Sequence, residues 1–79
     1  MATAPGPAFL VSAEQIGQTL RAARERAGLT QLELTRRARV GIRFLSEMEN
    51  GKQTARLDKL LAVLRALGLA VTVLPAPRR

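Results

Sequence analysis

At 79 residues the chain holds at most one domain, whose core is too small to be comfortably stable without a partner, a metal or crosslinks. With no cysteine and no histidine, disulfides and thiolate or imidazole metal sites are excluded, and dimerisation is left as the natural way to enlarge the core. Thirteen Lys and Arg against six Asp and Glu give +7, a surplus that favours a polyanionic partner, nucleic acid ahead of an anionic membrane, unless it serves only solubility.

All the basic residues except Lys52 and Lys59 are arginines, which suit bidentate phosphate or guanine contacts, although a GC-rich genome gives the same bias. Catalysis would have to run on carboxylates, hydroxyls or lysine, and no cluster of these stands out. Neither an enzyme nor a cofactor or metal site is expected.

Met1 to Val11 lacks the basic start and long apolar stretch of a signal peptide, and Pro5, Gly6 and Pro7 make it a loose arm. No apolar run approaches the ~20 residues of a membrane span, so a cytoplasmic protein is expected. Ser12 and Gln15 then form a capping box, with Val11 and Ile16 as its hydrophobic staple. Ile16, Leu20, Ala23 and Ala27 recur along one face before Gly28, predicting a helix from about Ala13 to Ala27.

Thr30 and Glu33 make a second capping box, stapled by Leu29 and Leu34, for a short helix from about Gln31 to Ala38. A third staple, Val40 with Leu45, announces a helix from about Ile42 to Glu49, closed by Asn50-Gly51. Two short helices so closely joined cannot fold back antiparallel and must meet at a steep angle. The fourth helix carries Leu57, Leu60, Leu61, Leu64 and Leu67, a stripe expected to be core, and stops at Gly68.

From Leu69 to Leu74 the period changes to a β-branched run that ends at Pro75, predicting a strand. A short fifth helix is the competing reading. A lone strand leaves its backbone groups unpaired, and the simplest remedy is the same strand of a twofold-related copy. Leu69, Val71 and Val73 are then the dimer strand, between a domain at 12–68 and a basic tail at 75–79.

The stretch Thr30-Gln31-Leu32-Glu33-Leu34, followed by Val40, Leu45-Ser46, Met48-Glu49 and Gly51-Lys52, resembles the Cro/C1-type (XRE) helix-turn-helix family of phage repressors. The likeness runs from about Ile16 to Leu67. It implies an all-α, four-helix, lambda-repressor-like fold, here with the added C-terminal β-strand pairing across a homodimer. It also implies that the third helix lies in the major groove of double-stranded operator DNA.

By that resemblance Ile42, Arg43 and Glu47 occupy base-reading positions, with Phe44 on the flank and Ser46 facing outward toward the phosphates. Arg43 can clasp guanine, Glu47 can accept from the cytosine amino group, and Ile42 or Phe44 can meet a thymine methyl. Two alternatives stay open: Glu47 as a solvated charge or intrahelical partner of Arg43, and Phe44 as packing against the second helix. Gln31, at the first turn of its helix, is placed for a phosphate. Lys52 and Arg56 flank the following loop and would hold more distant phosphates. Family alignment also places Arg24 opposite Glu49 as a partly buried ion pair.

Three positions depart from the family pattern. Arg39 stands where the turn usually has glycine, Gly41 caps the third helix in place of Ser or Thr, and Thr35 replaces alanine where the helices approach. The terminal strand also divides the family. Phage repressors of five helices end in a helix, whereas HipB-like antitoxins end in a strand that pairs across the dimer. The run Leu67 to Val73 resembles the second group, which implies repression of its own operon on a pseudo-palindromic site and a HipA-like kinase toxin as partner. A stand-alone repressor and a protein-interaction module without DNA remain open beside it.

Overall fold

Helix signals at the two ends of each segment decide the architecture of this computed structural model, which describes residues 12–75. Expectations for the arm (1–11, with the Val11 half of the first staple) and for the tail beyond Pro75 lie outside the described residues. Four helices follow one another: α1 Ala13–Arg26, α2 Gln31–Ala38, α3 Ile42–Glu49 and α4 Leu57–Ala66. Ser12 Oγ accepts the Gln15 N–H at 3.2 Å, satisfying one of the free donors that every helix start exposes. At α2 the box closes in both directions: Thr30 Oγ1 accepts from Glu33 N–H at 3.1 Å, and Glu33 Oε1 from Thr30 N–H at 2.8 Å. Gly41, with no side chain, gives α3 no such bond.

The helix ends share one device. Backbone donors of the two residues past the cap return to the last turn, as in Leu29 to Arg24 (3.1 Å), Lys52 to Glu47 (3.0 Å) and Leu69 to Leu64 (2.8 Å). This closure puts one residue in the left-handed region, which glycine adopts without strain. Gly28, Gly51 and Gly68 take that place at α1, α3 and α4. At α2 it falls to Arg39, with φ 59° and ψ 44°, a strain of about 1–2 kcal/mol that glycine would not carry.

Leu20, Leu29, Leu34, Leu45, Met48 and Val63 form the buried core, one or two from each helix and one from the α1–α2 loop. Ile16, Val40, Phe44, Leu60, Leu64 and Leu67 pack around it. The leucine stripe of α4 is therefore only partly core. At 100° per residue, Leu60, Val63, Leu64 and Leu67 share the inner face, while Leu57 and Leu61 lie on its edge; these two are exposed at 67% and 37%. Val63, outside the expected stripe, is fully buried.

Gly17 marks the tightest approach. A Cβ there would lie 2.4 Å from the Met48 carbonyl oxygen and 2.9 Å from that of Glu49, so α1 and the end of α3 touch backbone to backbone. Thr35 is buried, only 4% exposed, and its hydroxyl donates to the Leu32 carbonyl at 2.8 Å, which removes the cost of a polar group at that junction.

Residues 69–75 form neither helix nor strand, so the competing fifth helix is absent. Val71, Val73 and Leu74 are exposed at 62%, 92% and 57%. A strand exists only against another strand, and the described part of one chain contains none. Among the described residues no helix is long and apolar enough to cross a membrane, and no three acids cluster as metal ligands.

Candidate nucleic-acid interface

Beneath the outer face of α3 lies a polar network that joins it to α1, the α1–α2 loop and α2. Arg24 Nε donates to Glu49 Oε2 at 2.7 Å and Nη2 to Oε1 at 3.0 Å, a bidentate pair. Its remaining nitrogen, Nη1, donates to the Leu29 carbonyl at 2.8 Å. Gln31 Nε2 adds a third donor to Glu49, at 3.0 Å from Oε1. The carboxylate thus ties α1 and the first turn of α2 to the last turn of α3, and Arg24 extends the hold to the α1–α2 loop.

The pair is nearly dry, its side chains 11% and 4% exposed. Burial pushes the Glu49 carboxyl up, but the hydrogen bonds from Arg24 and Gln31 and the Arg24 charge outweigh it, so it ionises below the ordinary range. For Arg24 the bond to Glu49 dominates over burial and raises its value further. Both groups stay charged at neutral pH, and no buried side-chain polar atom among the described residues is left unpartnered.

Above this brace α3 presents its solvent face. Ile42 is 50% exposed and the Arg43 side chain 91%. Phe44 is half-buried against the core, with Lys59 Nζ 5.8 Å from its ring centroid. Packing is therefore what the structure gives Phe44. Ser46 is half-buried too, and its carbonyl accepts from the Asn50 side chain at 2.8 Å.

Glu47 is the least solvated charge on this face, with its side chain 36% exposed. Its Oε1 accepts from Lys52 Nζ at 3.1 Å, and its Oε2 lies 3.5 Å from Arg43 Nε. The contact with Arg43 is the intrahelical pair that the sequence leaves open beside a solvated charge and a base contact, whereas the bond from Lys52 has no counterpart among those readings. That bond leads in holding the Glu47 carboxyl below its usual range. Arg56 is likewise paired, its Nη2 2.6 Å from Asp58 Oδ2.

Phe44, Glu47, Lys52, Arg56 and Lys59 come together around an open depression of about 400 Å³ at the end of α3. Gln31 stands apart from it, at the start of α2 beside Glu49. Arg36, Arg37, Arg39 and Arg65 make no ion pair among the described residues. At the depression Lys52 and Arg56 are partnered by the chain's own acids and Lys59 lies over the Phe44 ring, while the C-terminal end of α2 carries bare positive charge.

Gly17, Lys59 and the Gln31–Glu49 bond escaped the sequence reading. Gly17 had a usable signal: a glycine inside a helix costs about 1 kcal/mol relative to alanine and asks for a packing reason. The other two join residues too distant in sequence for any spacing rule.

A helix-turn-helix domain model matches residues 15–76. The HTH-type transcriptional regulator y4mF of Sinorhizobium fredii is 43% identical over 65 residues, which cover 81% of this chain and 86% of that protein. In shape the chain is similar to HipB in a complex with an O2 20mer (TM-score 0.84, 24% identity, 91% of this chain and 100% of that one). It is also similar to a chain of a HipA-HipB-O2-O3 complex (TM-score 0.81, 23% identity, covering 89% and 99%). At such identities the structural likeness concerns the fold alone.

Proposed function

The chain belongs to the helix-turn-helix domain family and is a transcriptional regulator rather than an enzyme; from that premise we propose that it is a HipB-like antitoxin that represses its own operon as a cytoplasmic homodimer. The observation that carries the DNA half is the placement of α3. Its outer residues Ile42 and Arg43 are solvent-facing, while the buried Arg24–Glu49–Gln31 network holds the helix from beneath. A reading helix must be rigid, because base-edge contacts tolerate little misplacement.

On this reading α3 enters the major groove, Arg43 takes guanine O6 and N7, and Ile42 lies against a thymine methyl. Gln31 spends one amide hydrogen on Glu49, and its other N–H and its place at the first turn of α2 serve a phosphate. Ser46, Lys52 and Arg56 position the protein on the backbone. The dimer half draws support from the exposed apolar side chains Leu57, Leu61, Val71, Val73 and Leu74, which a second copy would cover through strands at Leu69, Val71 and Val73. The toxin half draws support from likeness to a chain of a complex that contains HipA.

A second reading, a stand-alone regulator without a toxin, is favoured by the HTH-type transcriptional regulator at 43% identity. A kinase-like reading frame beside the gene, and co-purification of its product with this chain, separate the two. DNA binding itself is tested by salt. Affinity for duplex should fall steeply between about 50 and 200 mM salt, with one sequence preferred over random DNA. A shallow, unselective dependence would leave only a protein-interaction module.

A further inference from the structure

Positive charge on the α3 face is held in check by one residue. Glu47 engages Lys52 through one oxygen and Arg43 through the other, at 3.1 and 3.5 Å. Lys52 and Arg43 are the proposed phosphate and guanine ligands on either side of it. Both share their charge with Glu47, so DNA must compete with the carboxylate for them, and the carboxylate itself faces the approaching polyanion.

We infer that Glu47 is a specificity-determining residue that acts as an electrostatic brake on non-specific DNA. The inference rests on the reading that the α3 face meets DNA. On an arbitrary duplex phosphates and base edges compete for Lys52 and Arg43, and the carboxylate, already among the less solvated charges of the face, meets a polyanion without an amino donor placed to receive it. On a duplex that presents a cytosine amino group opposite α3, the carboxylate regains a donor. The penalty therefore falls on most sequences and is lifted on the matching one. The ionised state this requires is the one the site favours, since Lys52, by its hydrogen bond and charge, lowers the Glu47 pKa.

Two exposed pairs set the scale. Each is worth a factor of roughly 1.5 to 5, so removing the carboxylate should raise non-specific affinity by about two- to twenty-five-fold. Freeing Lys52 for a phosphate should also steepen the salt dependence, by about 0.9 in log K against log salt.

The test needs no knowledge of the natural site. A labelled 20-base-pair duplex of mixed sequence is titrated, across a salt series, with the full wild-type chain, Glu47→Gln and Glu25→Gln. Glu25 pairs with Arg21 on α1 at 3.4 Å, so its substitution makes the same change in net charge away from α3. The expected result is a gain of about two- to twenty-five-fold and a steeper slope for Glu47→Gln alone, with the gain reduced and the steepening lost on adding Lys52→Gln. Equal gains for the two glutamines would reduce the effect to net charge and overturn the brake. Weaker binding by Glu47→Gln would overturn it in favour of a directly attractive role. If the wild-type chain and all variants fail to bind at low salt, the DNA reading itself falls, and the brake with it.

Discussion

The helix-turn-helix unit and the segment that follows it are built on opposite terms. From Ser12 to Leu67 the chain closes its helix ends with its own backbone and buries its core leucines. Its one deep ion pair has every donor matched. From Leu69 to Pro75 the chain has no regular structure and shows Val71 and Val73 to solvent. The first region satisfies its helix ends and buried polar groups within one copy, whereas the second has the composition of a strand without anything to pair with. On the proposed function the difference divides the work: DNA reading falls to α3 and its brace, assembly to the tail.

Proline at Val71 should break the comparison most violently. It removes a ladder donor, so the proposed ribbon and dimer should be lost, with operator affinity falling by about 10²–10⁴ as two linked half-sites become one. The helical circular dichroism should survive. Sedimentation showing an intact dimer would refute the assignment of assembly to the tail.

Glu49→Ala attacks the other region. It strands the buried Arg24, a loss of about 3–5 kcal/mol, and a lowering of Tm by more than about 10 °C is expected for a domain of this size. The same carboxylate makes stability depend on pH. Because its folded pKa lies below its unfolded one, its contribution is present above the unfolded value of about 4.3. That contribution is lost as pH falls through the folded value. Glu49→Gln should flatten this acid limb, as thermal melts between about pH 2 and 5 would show.

Smaller effects sharpen the picture. Gly17→Ala improves helix propensity by about 1 kcal/mol but drives a Cβ into the Met48 carbonyl. Overpacking of that kind costs about 1–3 kcal/mol, so denaturant titration should report a net loss of stability. Arg39→Gly, at the left-handed position of α2, should do the reverse and add up to about 1 kcal/mol. Neither should change the oligomeric state, since both lie within the self-sufficient unit.

What was legible in the sequence follows the same division. The Thr30–Glu33 box and the staples located α2 and α3 because caps are local chemistry: their partners lie three to five residues apart. The place of the strain at Arg39 was legible only through the family resemblance, which has glycine at that turn position. The exposure of Leu57 and Leu61 was not, because periodicity shows that a face is apolar but not which edge of it a neighbour covers. Nor was the bond between Gln31 and Glu49, or the grip of Lys52 on Glu47, both of which depend on where the steep turn aims α3. The strand signal at Leu69 to Leu74 has no local partner to complete it, so its meaning depends on a second molecule.

Selection of duplexes from a random 30-base-pair pool by the full chain tests the central claim most directly. Two α3 helices related by a dimer axis should enrich an inverted repeat with half-site centres about 10 base pairs, or ~34 Å, apart. Enrichment of a solitary half-site, or of no sequence at all, would contradict a dimer that reads DNA through α3.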